Sequence, residues 1–205
     1  MTAIVASSMT LRKKEKLSLR KAAPGLTRVR VAITWRAKPG EEAVDLDLSG
    51  LMLDEHDRIM VEQDFIFYHQ PISPEGSVHY MGDNRKGSED DGTGSLGDSE
   101  AIKVDLSKVP GRVKRIVFAV TIDEAEKKRQ TFQHASEAVA RLFNDITGDE
   151  IARFPLEGDF KKDSAMLMVD LHRDGESWNF EPIGQGFEGH LGDICKSFGL
   201  DIGYD

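Results

Sequence analysis

In LTRVRVAITWRA, Val29, Val31, Ile33 and Trp35 alternate with Arg28, Arg30, Ala32, Thr34 and Arg36. A period of two is the mark of a strand with one face in a core and one in water. VDLDLSGLML repeats the pattern, with Val44, Leu46 and Leu48 on one face and Asp45 and Asp47 on the other. Further short apolar runs follow at DFIFYH, AIKVDL, RIVFAVTI, EIARFPL, AMLMVDLHR and SWNFEPI, with turn formers such as Pro71, Pro74, Gly76, Pro110, Gly111 and Gly148 between them. Many short strands punctuated in this way predict a mainly β fold, an antiparallel β-sandwich. Two segments carry helical spacing instead. Phe132, Ala135, Val139, Leu142, Phe143 and Ile146 fit one helix across 131–146, and Phe187, Leu191, Ile194, Cys195 and Phe198 fit a second that stops at Gly199. Both are expected to pack on the sandwich.

With 205 residues, 39% of them apolar, the chain can build one sizeable core, and no composition shift marks a second domain. We expect a flexible basic segment over 1–15 and a single sandwich domain over 16–205. No apolar run approaches membrane-spanning length, and the N-terminal residues MTAIVASSMTLRKKEK place their apolar positions before the basic cluster, the reverse of a secretory signal. One cysteine, Cys195, excludes an intrachain disulfide framework and a thiolate zinc cluster, which fits a reducing compartment. The expected location is the cytoplasm. Net charge is −9, unevenly spread: residues 1–36 carry nine Lys or Arg against one Glu. That asymmetry admits an anionic partner at the N-terminal part and a cationic one elsewhere.

The cationic partner has an obvious candidate seat. Asp45 and Asp47, at i and i+2 of one strand, stand about 7 Å apart on the same side, close enough to share a cation. Between Asp83 and Glu100, six acids (Asp83, Glu89, Asp90, Asp91, Asp98, Glu100) face only Arg85 and Lys86, among many glycines and serines. Carboxylates held about 6 Å apart repel by roughly 0.7 kcal/mol per pair even in water. Such a stretch is either a solvated linker or a long acidic metal-binding loop. A metal reading favours calcium, which accepts six to eight oxygens in irregular geometry. Residues 89–100 trace the outline of an EF-hand loop, but AIKVDL after it reads as strand, and a true EF-hand is rejected.

Taken in order, VDLDLSGLML, DFIFYH, EGSVHYMGDN, GDSEAIKVDLSKVPGRVKRIVFAVTI and WNFEPIGQGF resemble the TerD family of tellurium-resistance and stress proteins, from about Lys16 to Gly199. The resemblance implies a calcium-binding β-sandwich, usually with two ions clustered at one end, without an established catalytic activity. It implies metal ligands among Asp45, Asp47, Asp64, Asp83, Asn84, Asp98 and Glu100. Ser99 replaces an acid of the family pattern, His69 stands where Asn is usual, and the stretch between Asn84 and Asp98 is several residues longer than usual. Asp90 and Asp91 stand either as substitutes for displaced ligands or in a bulge outside the site. The implied role is a calcium-responsive interaction module in stress response, with a protein or a membrane surface as partner and no specific nucleic acid.

The sequence leaves two other functions open. A metal-dependent hydrolase would use His69 or His79 as base, but neither sits in a catalytic spacing. A basic-face module would present Arg28, Arg30 and Arg36 with Arg12, Lys13, Lys14 and Lys16 to an anionic membrane or nucleic acid, but no aromatics interleave these residues to stack bases. His134 and His172 read as structural, and Cys195 as a buried helix residue rather than a nucleophile. The glycines of GDNRKG and PIGQGFEGHLG lack the Lys and Ser or Thr of a phosphate loop.

Overall fold

The structure is a computed structural model that describes residues 8–38, 40–82, 100–156, 162–187 and 189–203. Twelve strands run in the order β1 (Met9–Thr10), β2 (Leu17–Ser18), β3 (Arg28–Ala37), β4 (Leu46–Leu53), β5 (Phe65–Ile66), β6 (Val78–Tyr80), β7 (Glu100–Asp105), β8 (Arg115–Ile122), β9 (Ala135–Asn144), β10 (Glu150–Pro155), β11 (Ala165–Asp174) and β12 (Ser177–Phe187). Three short helices join them: α1 (Leu19–Ala22), α2 (Ala125–Lys128) and α3 (Leu191–Ser197). The strands form two six-stranded sheets, ordered β1-β10-β9-β3-β7-β6 and β2-β12-β11-β8-β4-β5. We call these the first and second sheet.

The alternating faces pack as their pattern requires. Val29, Val31, Ile33 and Trp35 of the first sheet share one buried cluster with Val44, Leu46, Leu48, Phe118, Met166 and Phe180 of the second. The outer face of the second sheet is covered as well: Leu191, Ile194, Cys195 and Phe198 of α3 and the residue after it pack on Leu51, Val117, Ala119 and Leu167. The helix expected near the C-terminus is therefore present, though shorter than its apolar spacing suggested.

The helix expected over 131–146 is not. After a single 3-10 turn at Phe132–His134, the chain enters the ten-residue strand β9, paired with β3 on one side and β10 on the other. Ala138, Ala140 and Leu142 point into or against the core with a period of two. Phe143 breaks the alternation because it faces outward beneath two guanidinium groups, with Arg30 at 4.1 Å and Arg141 at 4.6 Å from its ring centroid. An apolar residue on the outer face made the run fit a helical template.

Part of the segment assigned to a flexible N-terminus also joins the body. Met9 and Thr10 pair with Ala152 and Arg153, a parallel contact in sheets that are otherwise antiparallel, and Leu11 is buried in the main core. The chain then crosses to the second sheet, where Leu17 and Ser18 pair with β12. Glu150 ties this strap down, accepting from Ser8 Oγ, from Arg141 Nε (2.8 Å) and from Arg153 Nε (2.6 Å). Burial pushes the Glu150 carboxyl up, but the bonds from Arg153, Ser8 and Arg141 more than offset it and hold the group below its ordinary 4.5. A depressed carboxyl contributes stability that is present above its unfolded value and lost as pH falls through the folded one. Glu150→Gln is therefore expected to cost about 1 kcal/mol at pH 7 and to converge on the parent below that range, read by urea denaturation at neutral and acid pH.

Candidate metal centre

The start of β4 is positioned by three donors from three different elements. Gln130 Nε2 donates to the Ala43 carbonyl (3.2 Å), Trp35 Nε1 to Val44 (2.9 Å) and the Asp123 amide to Asp45 (3.0 Å). Each carbonyl in turn is thus fixed before the strand begins at Leu46. Asp45 and Asp47 are consequently held, half-buried, on the side away from Leu46 and Leu48, which fill the core.

Glu100 reaches the backbone of β4 from the other sheet. It opens β7 opposite Ile33, on the inward face, and only 2% of it is exposed. Its Oε2 accepts the Leu48 amide at 2.7 Å. The partner strand β5 covers β4 only at Gly50 and Leu51, so the edge of β4 at Leu48 lies beyond that pairing and the carboxylate satisfies it. One buried acid thereby ties the two sheets together between their inner faces, whereas Asp47 lies on the outer face of β4. The Met81 amide donates to Ala101 (2.9 Å), so Gly82 and Glu100, which bracket the acid-rich stretch, lie side by side at this end. Gly82 has φ of 124°, a conformation that glycine alone adopts without strain. Asp83, Asn84, Asp90, Asp91 and Asp98 lie outside the described residues.

Asp64 is not part of this gathering. Asp64 ends the 3-10 turn Glu62–Asp64, and Phe65, the next residue, pairs with Leu51, four residues along β4 from Asp47 and roughly 13 Å away. Asp64 is fully buried, and its two oxygens accept a fork from Arg112, Nη1 to Oδ2 at 2.6 Å and Nη2 to Oδ1 at 2.8 Å. Its bond with Asp64 is the chief reason the Arg112 guanidinium is held above its ordinary value.

Two further acids lie close to Asp45 and Asp47. Leu46 pairs with Ile122, which carries Asp123 and Glu124 to the start of β4. Lys128 on α2 reaches Asp123 Oδ2 (2.9 Å) and Glu124 Oε2 (3.8 Å). Burial lowers the Lys128 ammonium, but its bond and charge contact with Asp123 and the charges of Asp45 and Glu124 prevail and raise it. The signal was the antiparallel pairing of VDLDL with FAVTIDE, which appears only once strand partners are known. Asp47, Asp123, Glu124, Tyr68, Thr121 and His190 line a groove of about 310 Å³.

The remaining candidates fall elsewhere. His79 is exposed on β6 between Ile72 and Lys103, on the face of the first sheet opposite to that of Glu100. His69 is exposed, with its ring 4.2 Å from that of Tyr68. Burial pushes the Cys195 thiol up to about 12, which keeps it from acting as a thiolate. On the basic strand face, Arg30 lies 3.8 Å from Asp145 and Arg36 lies 3.6 Å from Glu137, so acids of the same face meet part of its charge.

Comparison with known proteins agrees with this architecture. The TerD domain model matches residues 7–198. The chain is 38% identical over 195 residues to the Tellurium resistance protein TerD of Serratia marcescens, covering 95% of this chain and 98% of that one. It is 36% identical over 198 residues to General stress protein 16U of Bacillus subtilis (strain 168), covering 96% and 100%. Among solved structures, a homologue of telluride resistance protein (TerD) from Streptomyces coelicolor A3(2) superposes with a TM-score of 0.63 at 18% identity, over 83% of this chain and 96% of that one. At that identity the likeness concerns the fold.

Proposed function

This chain belongs to the TerD domain family, and on that premise we propose that it is a calcium-binding stress-response protein of the tellurium-resistance type, without enzymatic activity, acting in the cytoplasm as a calcium-responsive interaction module. The observation that supports the reading is the nearness of Asp45, Asp47, Asp123 and Glu124 at the end of the two-sheet body where the acid-rich stretch leaves at Gly82 and returns at Glu100; the described residues alone hold no group of three acids close enough for an ion, so the stretch would have to complete the site. The donor set fits a hard cation, because it is dominated by carboxylate oxygens, whereas zinc would want nitrogen or sulfur; His79 and Cys195 lie elsewhere, and His190 at the groove turns its Nδ1 to Asp193. The body would contribute Asp45, Asp47 and Glu100, and the stretch Asp83, Asn84, Asp90, Asp91 and Asp98, a number of oxygens sufficient for two calcium ions. Asp64 is left out of the set because Arg112 takes both of its oxygens.

Calorimetry with calcium, magnesium and zinc is the direct test. Calcium is expected to bind below millimolar concentration and Asp47→Asn to weaken it at least tenfold, with magnesium weaker and zinc unselective. A folded protein with no calcium affinity below millimolar would overturn the assignment. Capture of partners from cell extract in calcium and in chelator addresses the interaction role. The same partners under both conditions would reduce the ion to a structural part.

A further inference from the structure

The opposite end of the body holds a second groove, of about 510 Å³, between α1 and the tight turn joining β11 to β12. Ala165, at the start of β11, pairs with Thr121 near the acidic end, and Arg173 lies eight residues further along the strand, roughly 26 Å away. The groove walls include Leu26, Leu106 and Trp178, with Thr27, Arg20 and Arg173 among the polar groups. Its volume falls in the range of small-molecule sites.

Arg173 is its unusual member. The guanidinium carbon lies 4.4 Å from the centroid of the Trp178 ring. Nε donates to the Val113 carbonyl (2.9 Å), and Nη2 to Val109 (2.6 Å) and, at longer range, to Pro110 (3.4 Å). These contacts fix the plane of the group and leave Nη1 without a protein acceptor among the described residues. They also supply no net negative charge. By contrast Arg112, Arg115 and Arg141 each hold a carboxylate, on Asp64, Asp170 and Glu150. Arg173 is half-buried, and burial lowers its pKa with no acid to offset the effect. A partly desolvated, rigid cation without a counter-charge, at the wall of a groove of mixed polar and apolar lining, is arranged to receive an anion.

We propose that this groove binds a small organic carboxylate, its charged end on Arg173 Nη1 and its apolar body along Leu26, Leu106 and Trp178. A monoanion is favoured over a phosphate dianion because one amino group with two N–H bonds is available, the second cation of the lining, Arg20, is exposed, and Glu176 stands at the rim. The proposal is independent of the calcium reading and of the acidic end.

Hexanoate, 1-hexanol and inorganic phosphate, titrated into the full chain with tryptophan fluorescence and calorimetry as readouts, test it. Of the two tryptophans, Trp35 is sealed in the core and Trp178 borders the groove. Hexanoate is expected to saturate with a Kd of about 1 mM or below, with hexanol and phosphate at least tenfold weaker. Ala23→Trp, which fills the groove without touching the bonds of Arg173, should abolish binding with an unchanged melting temperature, and Arg20→Glu should weaken it several-fold. Arg173→Met should abolish it too, although it also releases the carbonyls of 109–113. Equal binding of hexanol, phosphate binding as tight as hexanoate, no hexanoate binding at 20 mM, or full binding by a folded Ala23→Trp protein would each overturn the assignment.

Discussion

Arg112→Ala is expected to lower the stability of this protein by about 3–5 kcal/mol, the range for stripping one partner from a buried ion pair. Asp64 is fully buried and its two oxygens are met by the one guanidinium, while the Arg112 side chain is 39% exposed. Removing the arginine leaves a carboxylate in the interior with no cation. Removing the acid leaves a cation that can turn toward water. The two truncations are therefore unequal: Asp64→Asn should cost less than Arg112→Ala, and Asp64→Asn in the Arg112→Ala background should recover part of the loss. Urea denaturation of the four proteins measures the asymmetry. The same Asp64→Asn protein separates the two roles open to this acid, since calcium affinity within twofold of the parent places Asp64 in the fold and a tenfold loss would return it to the ligand set.

Asp64 also shows which kinds of information the sequence carries. Strands β3 and β4 were legible because Val29 to Trp35 and Val44 to Leu48 place a large apolar residue at every second position, all of them in one buried cluster. The same rule failed at β9, where Phe143 lies outward under Arg30 and Arg141, so that a local apolar count could not separate a period of two from one of 3.6. Leu11 was hidden for a related reason: one buried apolar residue among Arg12, Lys13 and Lys14 makes no pattern. At the candidate metal centre, Asp45 and Asp47 stood out by their spacing on one strand face, and Glu100 by its place in the order of motifs. Asp123 and Glu124 were missed because their place beside Asp45 depends on the pairing of Leu46 with Ile122, some seventy-five residues apart in the chain. Pairing register is a long-range property, and it also separates Asp64 from the acids that its motif grouped it with.

Removal of calcium should lower the melting temperature by about 5–10 °C when the comparison is made at a hundredfold excess over Kd. Binding to the native state alone contributes about 2.7 kcal/mol at that excess, and each kcal/mol moves the transition of a domain of this size by roughly 2–4 °C. The direction follows from electrostatics at the end of the body. Asp45, Asp47, Asp123 and Glu124 lie near one another there, and Lys127 and Lys128 are the cations that the described residues place against Glu124 and Asp123. Without a bound cation the carboxylates repel, and the strain falls on the start of β4 and on the Glu100 to Leu48 bond that links the sheets. Asp47→Asn should behave in the opposite sense to the parent: its melting temperature in chelator should match or exceed that of the parent, because one repelling charge is gone, while its gain on adding calcium should shrink by more than half. Scanning calorimetry of both proteins, in calcium and in chelator, checks the four values together. A parent protein that binds calcium yet melts at the same temperature in both conditions would mean that the ion sits away from the carboxylates that hold the sheets together.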